Sequence, residues 1–135
     1  MKLFGTLLFS MMVSVLSTLR DCSSGNGLFT MISQGFSPEP PVPGQDATLW
    51  FYYQVPDNLT VTAGTAKYSI TFNGIPFSPT VDDLCTQVDC PLVPGIFNLT
   101  STSQFPSVSG KIISKIQWYN EDGSLLLCSE LTEKM

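Results

Sequence analysis

The chain contains no histidine. That single absence removes Ser-His-Asp and Cys-His catalysis, most zinc sites and any imidazole-based pH switch. Positive charge is scarce too: six Lys and Arg stand against eleven Asp and Glu, for a net charge of −5. With no basic patch to release counterions from phosphates, nucleic acid is excluded as a partner. The same sign argues against electrostatic docking on anionic membranes, so any membrane contact is expected to be transient and driven by apolar surface. A glycine-rich phosphate loop is missing. No metal ligand set is expected, and no cofactor. After the N-terminal segment no apolar run comes near the roughly 20 residues that a helical membrane span needs, so the mature chain is expected to be free of such spans.

What is present begins with that N-terminus. Lys2 gives a positive start, Leu3 to Leu16 is apolar, and Ser14, Ser17 and Thr18 are small residues ahead of Arg20. The run is too short for a transmembrane anchor and has the form of a secretory signal. Residues 1–19 are therefore expected to be a removed leader and residues 20–135 a single domain. Secretion makes Cys22, Cys85, Cys90 and Cys128 a disulfide framework rather than a metal site. Four cysteines allow three pairings. The favoured one joins Cys22 to Cys128, tying the mature N-terminus to the last strand, and Cys85 to Cys90, closing a short loop. The triplets Asn58-Leu59-Thr60 and Asn98-Leu99-Thr100 are N-glycosylation acceptors, which would put both asparagines at the surface.

The order of patterns along the chain is that of an all-β protein. Ala47 to Val55 is aromatic and β-rich, with Leu49, Phe51 and Tyr53 on one face and Thr48, Trp50 and Tyr52 on the other. Lys67 to Phe72 alternates, with Tyr68, Ile70 and Phe72 together, and Asn73-Gly74 signals a tight turn. Prolines at 76, 79 and 91 exclude a helix from Asn73 to Pro91. That segment is expected to fold over one sheet edge, clipped by Cys85–Cys90, with Phe77 at the mouth of an apolar interior. Gly35 to Gly44 is proline-rich and reads as a stiff edge or loop. Shorter strands are expected at Leu28 to Ile32, Leu59 to Ala63 and Ile96 to Leu99. Lys111 to Tyr119 is half-buried, with Ile112, Ile116 and Trp118 inward, and a hairpin loop at Asn120 to Gly123 leads to a return strand at Ser124 to Leu131. About seven short strands with frequent turns give an immunoglobulin-like β-sandwich of two antiparallel sheets. The tryptophan-cysteine spacing of a true immunoglobulin domain is absent.

From Asp21 to Glu130 the chain resembles the ML-domain (MD-2-related lipid-recognition) family, nearest the Niemann-Pick type C2 and phosphatidylglycerol/phosphatidylinositol transfer members. The likeness is carried by Asp21-Cys22 before a Gly-rich turn, Pro40-Pro41-Val42-Pro43-Gly44 before the aromatic strand, and Gly74-Ile75-Pro76-Phe77. It continues through Cys85…Cys90-Pro91-Leu92, Phe105-Pro106, and Trp118 through Asp122-Gly123 to Leu127-Cys128. The resemblance implies a lipid held between the two sheets, the same two disulfides, and Phe77 and Phe105 as aromatic residues at the cavity entrance. The sterol carriers of the family have a third disulfide near positions 37–44, where this chain has prolines. That departure favours phospholipid over sterol.

Phe51, Tyr53, Phe72, Phe77, Phe97, Phe105, Ile116 and Trp118 are the candidates for lining such a cavity. The competing explanation for any of them is ordinary packed core. Catalysis finds little support: Asp82 and Asp83 point opposite ways in an extended segment, and Asp89, Glu121 and Asp122 read as turn residues. No catalytic residue is assigned. The expected function is monomeric lipid binding and transfer without enzymatic activity, in a secreted or endosomal–lysosomal setting. The alternatives are sterol transport and, from another class, a secreted lipid sensor accessory to a receptor, with Trp50 and Tyr52 as an exposed surface.

Overall fold

A computed structural model of the protein describes residues 16–38, 42–104 and 110–134. Among the described residues nine strands run in the order β1 (Leu16–Asp21), β2 (Thr30–Ser37), β3 (Asp46–Val55), β4 (Gly64–Phe72), β5 (Ile75–Pro76), β6 (Thr80–Asp83), β7 (Gly95–Gln104), β8 (Lys111–Asn120) and β9 (Leu125–Lys134). Helical structure among the described residues is confined to one 3-10 turn, Leu84–Thr86. The expected all-β class holds, with more and longer strands than the alternation alone marks.

The strands form two antiparallel sheets. One is three-stranded, in the order β2-β3-β7; the other is six-stranded, in the order β1-β9-β8-β4-β5, with β6 also on β4. The strand at 59–63 does not form: Val61 makes an isolated bridge with Leu92. Gly64 opens β4. β7 extends well past Leu99 through Thr100 to Gln104, a Ser/Thr-rich stretch that carries no apolar alternation to announce a strand.

The β4–β5 turn follows from its residues. Asn73 and Gly74 both have positive φ, 50° and 84°, the geometry of a two-residue hairpin that glycine and asparagine tolerate and most residues do not. It sets Phe72 opposite Ile75, and β6 then pairs with the first half of β4. The 75–83 segment thus closes the sheet edge, as its prolines and turn residues imply.

Both favoured disulfides are formed. Cys22–Cys128 spans 106 residues and Cys85–Cys90 spans five. The first works with a backbone hydrogen bond from Cys22 N to Cys128 O at 3.1 Å and an ion pair between Arg20 and Glu130 at 2.7 Å to hold the N-terminal strand on β9. β1 runs in register from Leu16 opposite Lys134 to Asp21 opposite Ser129, so four residues of the expected leader, 16–19, lie within this strand. The Cys85–Cys90 loop is anchored by Leu84, which is fully buried.

Candidate functional site

Strand register sorts the inward side chains into rows. On the six-stranded sheet one row is Ala66, Trp118 and Leu127, and the next is Tyr68, Ile116 and Ser129. Beyond these come Ile70, Ser114 and Leu131, then Phe72, Ile112 and Glu133. On the facing sheet, Tyr53 sits beside Phe97, Phe51 beside Leu99, Leu49 beside Ser101 and Ala47 beside Ser103. Size falls along the three-stranded sheet to Ala47 and Ser103, while the six-stranded sheet dips at the Ser114 row before Phe72, Ile112 and Glu133.

At the large end the sandwich is solid. Trp118 meets the Tyr53 ring edge-on with centroids 5.3 Å apart and the Phe51 ring at 5.7 Å, and Phe29 stacks on Tyr53 at 5.6 Å. These rings and Leu127 form an aromatic plug. Burial pushes the Tyr53 phenol up to about 12, because ionising it there would strand a charge away from water. Beside the plug, the Ser129 hydroxyl donates to Gln34 Oε1 at 2.6 Å, a polar tie from one sheet to the other.

At the small end, Ala47, Ser101, Ser103 and Ser114 are too short to meet across facing sheets, which pack roughly 10 Å apart. The result is a hollow of about 640 Å³ between the sheets, walled by Phe36, Leu49, Tyr68, Ile70, Phe72 and Phe77 along with Ile112, Ile116 and Leu131. That volume falls within the roughly 300–1,000 Å³ of small-molecule sites. The wall is mostly apolar; its charged members are Lys115 and Glu133. Tyr68 is held from behind, its hydroxyl donating to Gln87 Oε1 at 3.0 Å. Gln87 belongs to the loop closed by Cys85–Cys90, so the short disulfide shapes one wall. Burial, and then the nearby Asp82 carboxylate, push the Tyr68 phenol above its ordinary range.

The hollow opens where β4 meets β5. Phe77 is 57% exposed although it belongs to the wall, and its amide donates to Ile70 O at 2.9 Å, which seats it beside another half-exposed wall residue. Ile75, opposite Phe72, is exposed next to them. The rim is therefore apolar surface facing water, a feature that soluble proteins reserve for contacts.

Of the candidate lining residues, Phe72, Phe77 and Ile116 are on this wall. Phe51, Tyr53 and Trp118 are not: they fill the plug, because at their end every inward position opposite them is also large. Phe97 stacks on Tyr53 at 5.8 Å, and the two flank a separate, smaller cleft of about 360 Å³ beside Val88, Asp89 and Leu92. Phe105 lies outside the described residues. Lys115 is the basic residue on this wall, with its Nζ 3.8 Å from Glu130 Oε2. Alternation placed Tyr68 and Ile70 on one face with Phe72, and Ile112 on one face with Ile116 and Trp118, without assigning Tyr68, Ile70 or Ile112 to a cavity. Phe36, hidden in a proline-rich stretch, and Glu133, an acid on the inward face of the last strand, went unread. Small inward residues clustered at one end of several strands were the signal available.

The site is thus a two-sheet β-sandwich that leaves an apolar chamber between its sheets. The chain belongs to the ML domain family, whose match covers residues 17–135. It is 33% identical over 121 residues to the phosphatidylglycerol/phosphatidylinositol transfer protein of Mycosarcoma maydis, covering 82% of this chain and 62% of that protein. Two Dictyostelium discoideum relatives are 36% and 34% identical over 86 residues. The chain spans 62% of the Mycosarcoma maydis protein and 56% of each Dictyostelium relative. Its fold is similar to that of a Niemann-Pick type C2 protein from Japanese carpenter ant, with a TM-score of 0.66 at 14% identity, covering 87% of this chain and 99% of that one. Chicken MD-1 complexed with lipid IVa is similar at a TM-score of 0.62 and 11% identity, covering 89% of each chain.

Proposed function

We propose that the protein binds single lipids in the inter-sheet hollow and transfers them between membranes. Phospholipid is the first ligand class, phosphatidylglycerol or phosphatidylinositol in keeping with the Mycosarcoma maydis relative's name; sterol is second. The observation that carries this is the apolar chamber of about 640 Å³ with an exposed aromatic rim at Phe77. With water's liquid-state share of about 30 Å³ as the unit, the chamber takes on the order of 20 atoms with their hydrogens, enough for one folded acyl chain. At about 0.8 kcal/mol for each buried methylene, sixteen of them supply roughly 13 kcal/mol before ordering costs.

The mechanism is passive. The rim touches the bilayer, the acyl chain slides between the sheets past Phe77, and the head group stays at the mouth. No bond is made or broken, and no cofactor takes part. The protein works as a monomer, outside the cell or in a lumenal compartment, after loss of the leader at residues 1–19. Two disulfides, which persist in oxidising compartments, support that location.

The test is transfer of fluorescent phosphatidylglycerol between vesicles, with phosphatidylinositol and a sterol as competitors, and mass spectrometry of the lipid that co-purifies. Transfer well above the spontaneous rate is expected, with phospholipid the better competitor. Folded protein that leaves the spontaneous rate unchanged would refute carriage. Tight binding without transfer would point to the sensor alternative.

A further inference from the structure

The outward face of the three-stranded sheet carries two large rings that the lipid chamber does not use. Tyr52 and Trp50 project from β3 with centroids 5.9 Å apart in an edge-to-face contact, and Tyr52 is 44% exposed. Trp50 lies flat on the neighbouring strand. A side-chain carbon at Gly35 would sit 2.5 Å from Trp50 Cζ2, so only glycine leaves the ring its place. The pair is thus a rigid aromatic platform on an outer surface, where such rings invite unwanted association.

On the other side of β3 lies β7, an edge strand of this sheet. Its register puts Asn98 directly opposite Tyr52 and Thr100 directly opposite Trp50. Directly opposed residues in an antiparallel pair have Cβ atoms about 5 Å apart and share a face. Asn98 and Thr100 are the two reading positions of an Asn-Leu-Thr acceptor triplet, and both are exposed. The second triplet differs: Asn58 lies in the turn after β3, where Leu59 N donates to Pro56 O, and has no cross-strand neighbour.

We propose that Asn98 carries an N-linked glycan whose first sugar lies on the Tyr52 ring, covering the aromatic platform. An N-acetylglucosamine has one face of C–H groups, and burying it against a flat ring removes apolar area from both. The bulky chain beyond it shields an edge strand whose free backbone groups would otherwise recruit another strand. The glycan on Asn58, lacking a ring to lie on, adds solubility and no packing. This inference depends on passage through the secretory pathway and is independent of which lipid is carried.

The experiment expresses the full chain with its own leader in a eukaryotic host and maps glycopeptides of the secreted protein. Occupied Asn98 is expected. Removing the acceptor by Asn98→Gln should lower the melting temperature by about 3 °C, and Asn58→Gln should not. In a Tyr52→Ser background the Asn98→Gln shift should vanish, while in Tyr52→Phe it should persist. Trimming the glycan to its first sugar should preserve the melting temperature, and lipid transfer should be unaffected throughout. Bare Asn98 beside occupied Asn58, or an equal shift in the parent and Tyr52→Ser backgrounds, overturns this inference alone. Failure to be secreted or to carry any glycan overturns it together with the proposed location.

Discussion

Ser114 sits in the middle of the chamber floor, between Ile70 and Leu131 in its row. Ser114→Phe therefore separates a hollow from a packed core. In a close-packed interior, inserting an aromatic ring forces strained rotamers and costs about 1–3 kcal/mol. Here the ring would enter space that the protein's own atoms leave empty, and its burial should offset the loss of the serine hydroxyl's contacts. Global stability is expected to stay within about 1 kcal/mol of the parent, measured by urea unfolding with an unchanged slope. Lipid binding should suffer instead. The ring adds five heavy atoms, displacing about four methylenes of an acyl chain at about 0.8 kcal/mol each, or roughly 3 kcal/mol. That is a weakening of Kd by about 150-fold, readable by titration with a fluorescent fatty acyl lipid. A variant that is destabilised by several kcal/mol yet binds lipid as before would show that the space is not the ligand site.

Three further outcomes follow from the same geometry. Phe77→Asp, at an exposed rim position, should change stability by no more than about 0.5 kcal/mol while slowing intermembrane transfer about tenfold; an unchanged transfer rate would remove the rim from the mechanism. Trp118→Ala opens the aromatic plug and should cost about 3–5 kcal/mol by denaturant titration, so a mild effect would mean the plug is not close-packed. For Tyr53, the folded phenol titrates near 12 against an ordinary value of 10.0. Because the folded state holds this proton longer, its contribution is complete below pH 10 and is lost as pH rises from 10 to 12. Tyr53→Phe should flatten that alkaline decline in melting temperature, and an identical decline in both proteins would exclude Tyr53 as its source.

The disulfides divide unequally. In the chain-entropy view, Cys22–Cys128 closes a loop of 106 residues and Cys85–Cys90 one of five, worth about 4.8 and 2 kcal/mol respectively. Replacing the first pair by alanine should thus lower stability more. Replacing the second should lower it less, by about 2 kcal/mol, and should also loosen Gln87 and with it the Tyr68 wall, seen as weaker lipid binding. The reverse ranking would count against this division of roles.

Much of the architecture was legible along the chain because it is local. Alternation in 47–55, 67–72 and 111–119 reports which side chains share a sheet face, and Asn73-Gly74 reports a hairpin. The missing histidine, the acidic balance and the four cysteines exclude or favour whole classes of chemistry without any fold. What the linear order does not carry is which end of each strand meets a partner across the gap. Phe51, Trp118 and Phe72 obey the same inward alternation, yet the first two are plug and the third is wall. The difference lies in how the sheets face each other: Ser114 and Ser101 come from separate sheets and line one hollow only after both have folded. A cavity is a property of facing pairs, and the pairs are set by tertiary packing.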